Sequence, residues 1–244
     1  MIKIIIHITK FIIATVTALL FASCNYNFNA IEGSGNVTTE KRIVEGNFTN
    51  VKVSNAIDLV IEQSDVKEIT VEADDNLQNE IITKVEHGTL VIECKYSSFK
   101  NVTMKKVTVK MPVIDKLEAS SASTVEAKKV IQGENISLET SSAATMNVNI
   151  ESDNISLESS SGSSISIEGK ALKIKSSASS GATIDAEKLL ANDVDAEASS
   201  GGSVNVNSIV SLKAEASSGG SINYTGSPKN LEKSAQSGGS VNKS

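Results

Sequence analysis

Side chains able to do covalent chemistry are few. Beyond residue 23 the chain holds one histidine (His87), one arginine (Arg42) and two cysteines (Cys24 and Cys94). Two acidic groupings remain as candidates. Asp193 and Asp195 stand two apart, which puts both on one face of a strand. Paired carboxylates are the machinery of glycoside hydrolysis. No histidine or arginine follows Leu117 to assist them, so the plainer reading is a solvated pair near a turn. The second grouping is a column, Glu118, Glu139, Glu158, Glu197 and Glu215, with Ser177 and Ser234 at its remaining positions. Stacked about 4.8 Å apart, neighbouring glutamates would repel by roughly 1 kcal/mol in water and by more near protein. Lysines such as Lys116, Lys173, Lys175 and Lys213 would neutralise that stripe, a divalent cation would bind it, or the side chains would splay into solvent. His87 precedes Gly88 and reads as a turn residue. No His-Glu-x-x-His, phosphate-binding Gly-Lys loop or Cys-x-x-Cys occurs, so no cofactor is expected. The Gly-Gly-x-Gly-x-Asp run of calcium-binding β-rolls is also missing. These features describe a non-enzyme.

The element that must position these residues is a repeat. From about residue 115 to the C-terminus one phrase recurs seven times, with Val194 to Val206 a clean copy. Aligned on the residue after a serine pair, the copies fall at Ala122, Ala143, Gly162, Gly181, Gly201, Gly219 and Gly238, in steps of 21, 19, 19, 20, 18 and 19. So short and even a period marks a solenoid, whose units bury apolar side chains only against their neighbours. Three residues after the aligned position stand Val125, Met146, Ile165, Ile184, Val204, Ile222 and Val241. Hydroxyl residues precede that column and mostly Asn, Asp or Glu follow it, which is the alternation of a half-buried strand. A second apolar column, Ile136, Ile155, Ile174, Val194, Leu212 and Leu231, lies seven residues before the aligned position, with Asp115 in the first copy. The Ser-Ser-Gly junction supplies a tight turn. The expectation is an all-β parallel β-helix with coils of about 20 residues, stacked into roughly 34 Å. Alternating strands continue through residues 43–117 without a Pro/Gly-rich break, so residues 43–244 read as one domain.

Composition narrows the partners. The formal charge is −6, and −8 once residues 1–23 with Lys3 and Lys10 are set aside. An acidic chain with a single arginine lacks the electrostatic footprint of a nucleic-acid binder. Aromatic residues make up 3% and tryptophan is absent, which suits a thin β-helical interior.

Residues 1–23 have a basic start and an apolar run from Phe11 to Ala22, the form of an export signal. Ala22-Ser23 before Cys24 resembles a bacterial lipobox, although Phe21 replaces the commoner leucine. That resemblance implies lipidation of Cys24 as the mature N-terminus. Residues 24–42 then read as the lipidated end and a polar tether. Cys94 shares phase with Leu90 and Ile92 and reads as a buried core thiol.

Two passages carry a family resemblance. One is Val44-Glu45-Gly46-Asn47-Phe48-Thr49-Asn50-Val51-Lys52-Val53 with its continuation through Asn55, Ile57, Leu59 and Ile61 to Gln63. The other is Ser218-Gly219-Gly220-Ser221-Ile222-Asn223-Tyr224-Thr225-Gly226-Ser227-Pro228, echoed at Ser237 to Val241. Over residues 42–243 the chain resembles the "putative auto-transporter adhesin head GIN domain" family of secreted or lipid-anchored bacterial proteins. The resemblance implies a right-handed single-stranded β-helix and supplies no catalytic residues. Together these readings describe a lipoprotein of the cell envelope, expected at the outer membrane, acting as an adhesin-like or structural module. Its expected partners are the membrane, through the lipid, and a glycan or envelope protein. An accessory lipoprotein that binds another protein is one alternative; a degenerate polysaccharide-active β-helix enzyme is another.

Overall fold

The computed structural model describes Lys10, Thr15 and residues 30–244; the rest of the export signal and Cys24 lie outside the described residues. Among the described residues nineteen strands make up an all-β fold. The irregular N-terminal part contains β1 (Ile31–Glu32), β2 (Val37–Arg42), β3 (Asn50–Val53), β4 (Asp58–Gln63), β5 (Glu68–Asp74), β6 (Ile81–Glu86), β7 (Thr89–Cys94), β8 (Phe99–Lys100) and β9 (Lys105–Met111). The repeats supply β10 (Lys116–Ala119), β11 (Thr124–Ala127), β12 (Ile131–Thr140), β13 (Thr145–Ser159), β14 (Ser164–Ala178), β15 (Thr183–Ala198), β16 (Ser203–Ala216), β17 (Ser221–Gly226), β18 (Asn230–Ala235) and β19 (Ser240–Lys243).

The repeats pair in parallel, each with the next, as a β-solenoid. Val125, Met146, Ile165, Ile184, Val204 and Ile222 form one in-register row, and each is at most 1% exposed. Leu59 and Val107 prolong that row towards the N-terminus. A parallel row runs Leu90, Val51, Leu117, Leu138, Leu157, Ser176, Ala196, Ala214 and Lys233. The interior therefore thins from leucine to alanine along the stack. Removing these rows from water is what holds the coils together, at roughly 25 cal/mol per Å² of apolar surface.

Each turn holds two successive left-handed residues. The serines Ser121, Ser142, Ser161, Ser180, Ser200, Ser218 and Ser237 have φ of 48–56°, and the residues after them, from Ala122 to Gly238, have φ of 59–77°. Sequence reasoning placed the second of these and missed the first. The strain is offset by a ladder of bonds between coils: Gly162 N–H donates to the Ser180 carbonyl at 3.1 Å, and Gly181 N–H to Ser200 at 3.2 Å. Asn55 and Ala56, at φ 62° and 52°, make an eighth such turn.

The N-terminal part departs from chain order. β3 and β4 lie between the coil of β7 and β9 on one side and that of β10 and β11 on the other. Beyond β7 and β9 the sheets continue with antiparallel β6 and β5, and β2 closes the edge against β5. This end is covered by reversed strands, a known way to stop further stacking.

The tether expected over residues 24–42 is corrected here. β1 pairs with β8 and β2 with β5, so the folded domain begins near Ile31, not at residue 43. Val37-Thr38-Thr39 is a strand-forming run, and the open edge of β5 needs a partner. Asp74, fully buried, fastens this segment by accepting N–H bonds from Gly35 at 3.0 Å, Thr103 at 3.1 Å and Met104 at 2.9 Å. At the other end Lys233 enters an interior row and sits 4.5 Å from the centroid of the Tyr224 ring.

Candidate functional site

Period-two alternation dictates that an interior row be flanked by two outward rows. Beside the buried row Ile136, Ile155, Ile174, Val194 and Leu212 these outward rows form the walls of a trough of about 1600 Å³. One wall is Asn135, Asn154, Lys173, Asp193, Ser211 and Asn230, in register from coil to coil. The other is Ser137, Ser156, Lys175, Asp195, Lys213 and Glu232. The trough runs along the solenoid axis, across the strands, over six coils.

The two halves of the trough differ. At its N-terminal end the walls are amides and hydroxyls, with Asn154 Nδ2 donating to Asn135 Oδ1 at 2.9 Å. Further on, Lys173 and Lys175 share a coil, and Asp193 and Asp195 share the next. Asp193 Oδ1 accepts from Ser211 Oγ at 2.6 Å. Asp195 Oδ1 is buried and accepts no hydrogen bond. Lys213 is turned aside to Glu215 at 3.0 Å; that hydrogen bond and the field of Asp195 raise its pKa. Four lysines and five carboxylates line the trough, so its formal charge is close to zero.

The glutamate stripe is the next outward row beside one wall. Its members pair in the anticipated register: Glu118 with Glu139, Glu139 with Glu158, and Glu197 with Glu215, with Ser177 between Glu158 and Glu197. Lysines relieve much of the repulsion. Lys116 Nζ lies 2.9 Å from Glu118 and 2.7 Å from Glu139, and Lys52 lies 3.2 Å from Glu118. Burial pushes the Glu118 carboxyl up, but hydrogen bonds from Lys116 and Lys52 outweigh it and hold the group below its ordinary value. Among the described residues no cluster of three or more His, Cys, Asp or Glu side chains is arranged to hold a metal ion. His87 and Gly88, at φ 48° and 77°, form the two-residue turn joining β6 to β7, far along the chain from Asp193 and Asp195.

Sequence reasoning singled out Asp193 and Asp195 but not the walls to which they belong. The signal was available: the wall rows are the positions on either side of the second apolar column. They escaped notice because they mix Asn, Ser, Lys and Asp instead of repeating one type.

With this geometry in view, residues 47–228 match the profile of the family described as "Putative auto-transporter adhesin, head GIN domain". The chain belongs to that family. Several solved structures share its fold. A "putative adhesin" from Bacteroides fragilis NCTC 9343 is 20% identical with a TM-score of 0.81, covering 88% of this chain and 100% of its own. Another from Parabacteroides distasonis ATCC 8503 is 24% identical, TM-score 0.71, with 88% and 100% covered. A third from the same strain, a "Putative lipid binding protein", is 20% identical, TM-score 0.70, with the same coverage. No curated protein matches the chain. At such identities the likeness establishes the fold alone, while the trough's walls are read from this chain's own residues.

Proposed function

We propose that this head GIN domain protein is a non-enzymatic, lipid-anchored module of the cell envelope that presents the trough as an adhesin-like binding face. The trough carries the reading: it is long, polar-walled, assembled from six coils, and ordered by the register of the sheet. Asp193 and Asp195 stand in it without a histidine or arginine beside them, which favours binding over hydrolysis.

Ala22-Ser23-Cys24 after an apolar run supports lipidation of Cys24, with the outer membrane as the destination. The fold then bears on orientation. Ile31 lies seven steps along the chain from Cys24, a reach of at most about 25 Å. β1 is held by β8 near the covered end of the solenoid, so that end stays close to the membrane. The trough coils and the last coil project away from it.

The test uses intact cells and two variants. Cys24→Ala should move the chain from the membrane fraction to the soluble fraction and abolish labelling by radioactive palmitate. Ser156→Trp, at the second of six positions in its wall, should obstruct the trough without touching the interior rows and abolish adhesion of expressing cells to a mucin-coated surface. Unchanged fractionation of the first would refute the anchor. Wild-type cells that do not adhere, or unchanged adhesion by the second variant, would refute the binding face.

A further inference from the structure

We infer that the trough takes an extended, uncharged polysaccharide, read at one coil per step; this rests on the trough being the binding face. Four observations point there. The first is charge. Lysines and carboxylates nearly cancel along the walls, and the chain as a whole carries −6. An anionic polymer would be repelled by the molecule, and a cationic one would meet Lys173 and Lys175 on entry. The second is spacing. The wall rungs repeat every 4.8 Å or so, each offering an amide, hydroxyl, ammonium or carboxylate. A polymer of hydroxyl-bearing rings can donate and accept at each rung.

The third observation weighs against a peptide. The strands cross the trough, so no free strand edge faces it, and recognition by added-strand pairing needs such an edge. An extended peptide also returns the same side of its backbone about every 6.8 Å, out of step with the rungs. The fourth is an unmet acceptor. Asp195 Oδ1 is buried without a hydrogen bond, while Asp193 Oδ1 is already engaged by Ser211. Asp195 as a whole is half-buried and lines the trough, so a ligand hydroxyl at that coil would donate to the accessible part of its carboxylate. The flanking Lys175, a register partner of Asp195, supplies donors to a neighbouring sugar oxygen.

The walls from Asn135 to Asn230 span five steps, about 24 Å. Affinity should therefore climb with oligosaccharide length until the chain fills that distance, and then level off. The probes are size-graded neutral gluco-, xylo- and manno-oligosaccharides, with dextran sulfate as the anionic comparison. Each is titrated calorimetrically into the purified full-length chain in detergent micelles at 50 and 500 mM NaCl. One neutral series should bind with a length plateau and change less than about twofold with salt. Asp195→Asn should weaken it about tenfold or more and change the melting temperature little, since what the fold loses is the carboxylate's field on the exposed Lys213.

Binding of no neutral series, or neutral binding indifferent to both Asp195→Asn and Ser156→Trp, overturns the inference. Tight dextran sulfate binding that collapses with salt and is lost in Ser156→Trp overturns the ligand class alone and leaves the trough as the binding face. Adhesion and all binding unaffected by Ser156→Trp overturn the trough itself.

Discussion

Lys105→Met should erase a rise in stability between pH 8 and pH 10. Lys105 opens β9 and points into the solenoid with 7% of its surface exposed. Its ammonium donates to the Asn55 carbonyl at 2.6 Å and lies 3.1 Å from the centroid of the Phe99 ring. Burial pulls its pKa from 10.5 down to about 8, partly offset by the fields of Cys94 and Asp58. Such a shift is worth about 3 kcal/mol if the site were dry; water at its edge reduces this to about 2 kcal/mol. The depressed value fixes the sign. The unfolded chain holds this proton up to about pH 10.4, whereas the folded chain releases it near pH 8. Stability from Lys105 is thus present above the unfolded value and is lost as pH falls through about 8.

Cys94 acts in the opposite direction. Burial is the largest influence on its thiol and raises the pKa, so its contribution is present below the ordinary thiol value and fades as pH rises. The comparison therefore belongs in a Cys94→Ala background. The glutamate-paired lysines Lys84, Lys110, Lys116 and Lys213 have raised values, and their losses begin only above about pH 10.4. Urea unfolding of Cys94→Ala at pH 7, 8, 9 and 10 should show a gain of about 2 kcal/mol. Adding Lys105→Met should flatten the profile. At pH 7 the two should differ by about 1 kcal/mol or less, because removing the buried charge offsets the hydrogen bond lost at Asn55. A flat profile before the methionine is introduced, or a persisting rise after it, would refute the account.

Asp74→Asn should cost about 2–4 kcal/mol, because an amide NH2 would face backbone donors that a carboxylate now accepts. Burial raises the Asp74 carboxyl, but N–H bonds from Gly35, Met104 and Thr103 hold it below its ordinary value. Its stabilisation is therefore present above about pH 4 and lost in stronger acid, and urea midpoints at pH 7 and pH 3 should converge for the variant and wild type. Two neighbouring glycines should behave differently in thermal melts. A Cβ on Gly202 would meet the Ala178 carbonyl oxygen at 2.4 Å, so Gly202→Ala should cost about 2–3 kcal/mol. Gly201 has φ +74° with nothing within 4 Å of an added Cβ, and Gly201→Ala should cost only about 1 kcal/mol. Lys233→Leu should expose an apolar end in place of the lysine over Tyr224. Sedimentation should then show concentration-dependent self-association that the wild type lacks.

The clearest interior row was legible because its column stays apolar in every copy: Val125 through Val241 announce themselves as a strand face. The order of the first coils was not. Val51 and Val53 alternate as plainly as any repeat, but alternation identifies a strand and not its partner. Nothing local says that Val51 meets Leu90 on one side and Leu117 on the other. Residues 31–42 misled for a different reason. Glycine, asparagine and charged residues surround Val37 to Thr39, and what makes the segment a strand is the distant edge of β5 and the buried carboxylate of Asp74. The left-handed serines were hidden because residue type alone seldom demands positive φ from serine; the bonds from coil to coil impose it.

The trough follows from the same geometry that makes the solenoid. An interior row forces two outward rows to run beside it along the axis, and where the coil bends those rows face one another across a seam. The interior must stay apolar and the turns must keep their small residues, or stacking fails. The walls face neither constraint, since their side chains lie on the outer face and hydrogen-bond chiefly to counterparts one coil away, as Asn154 does to Asn135 and Ser211 to Asp193. Asn154 can become Lys173, then Asp193, then Ser211 along one row without disturbing Ile155, Ile174, Val194 or Leu212 behind them. A scaffold shared at about 20% identity can thus carry different walls on the same frame. If the trough is the binding face proposed above, its selectivity is written in the wall rows and not in the repeat that first reveals the fold.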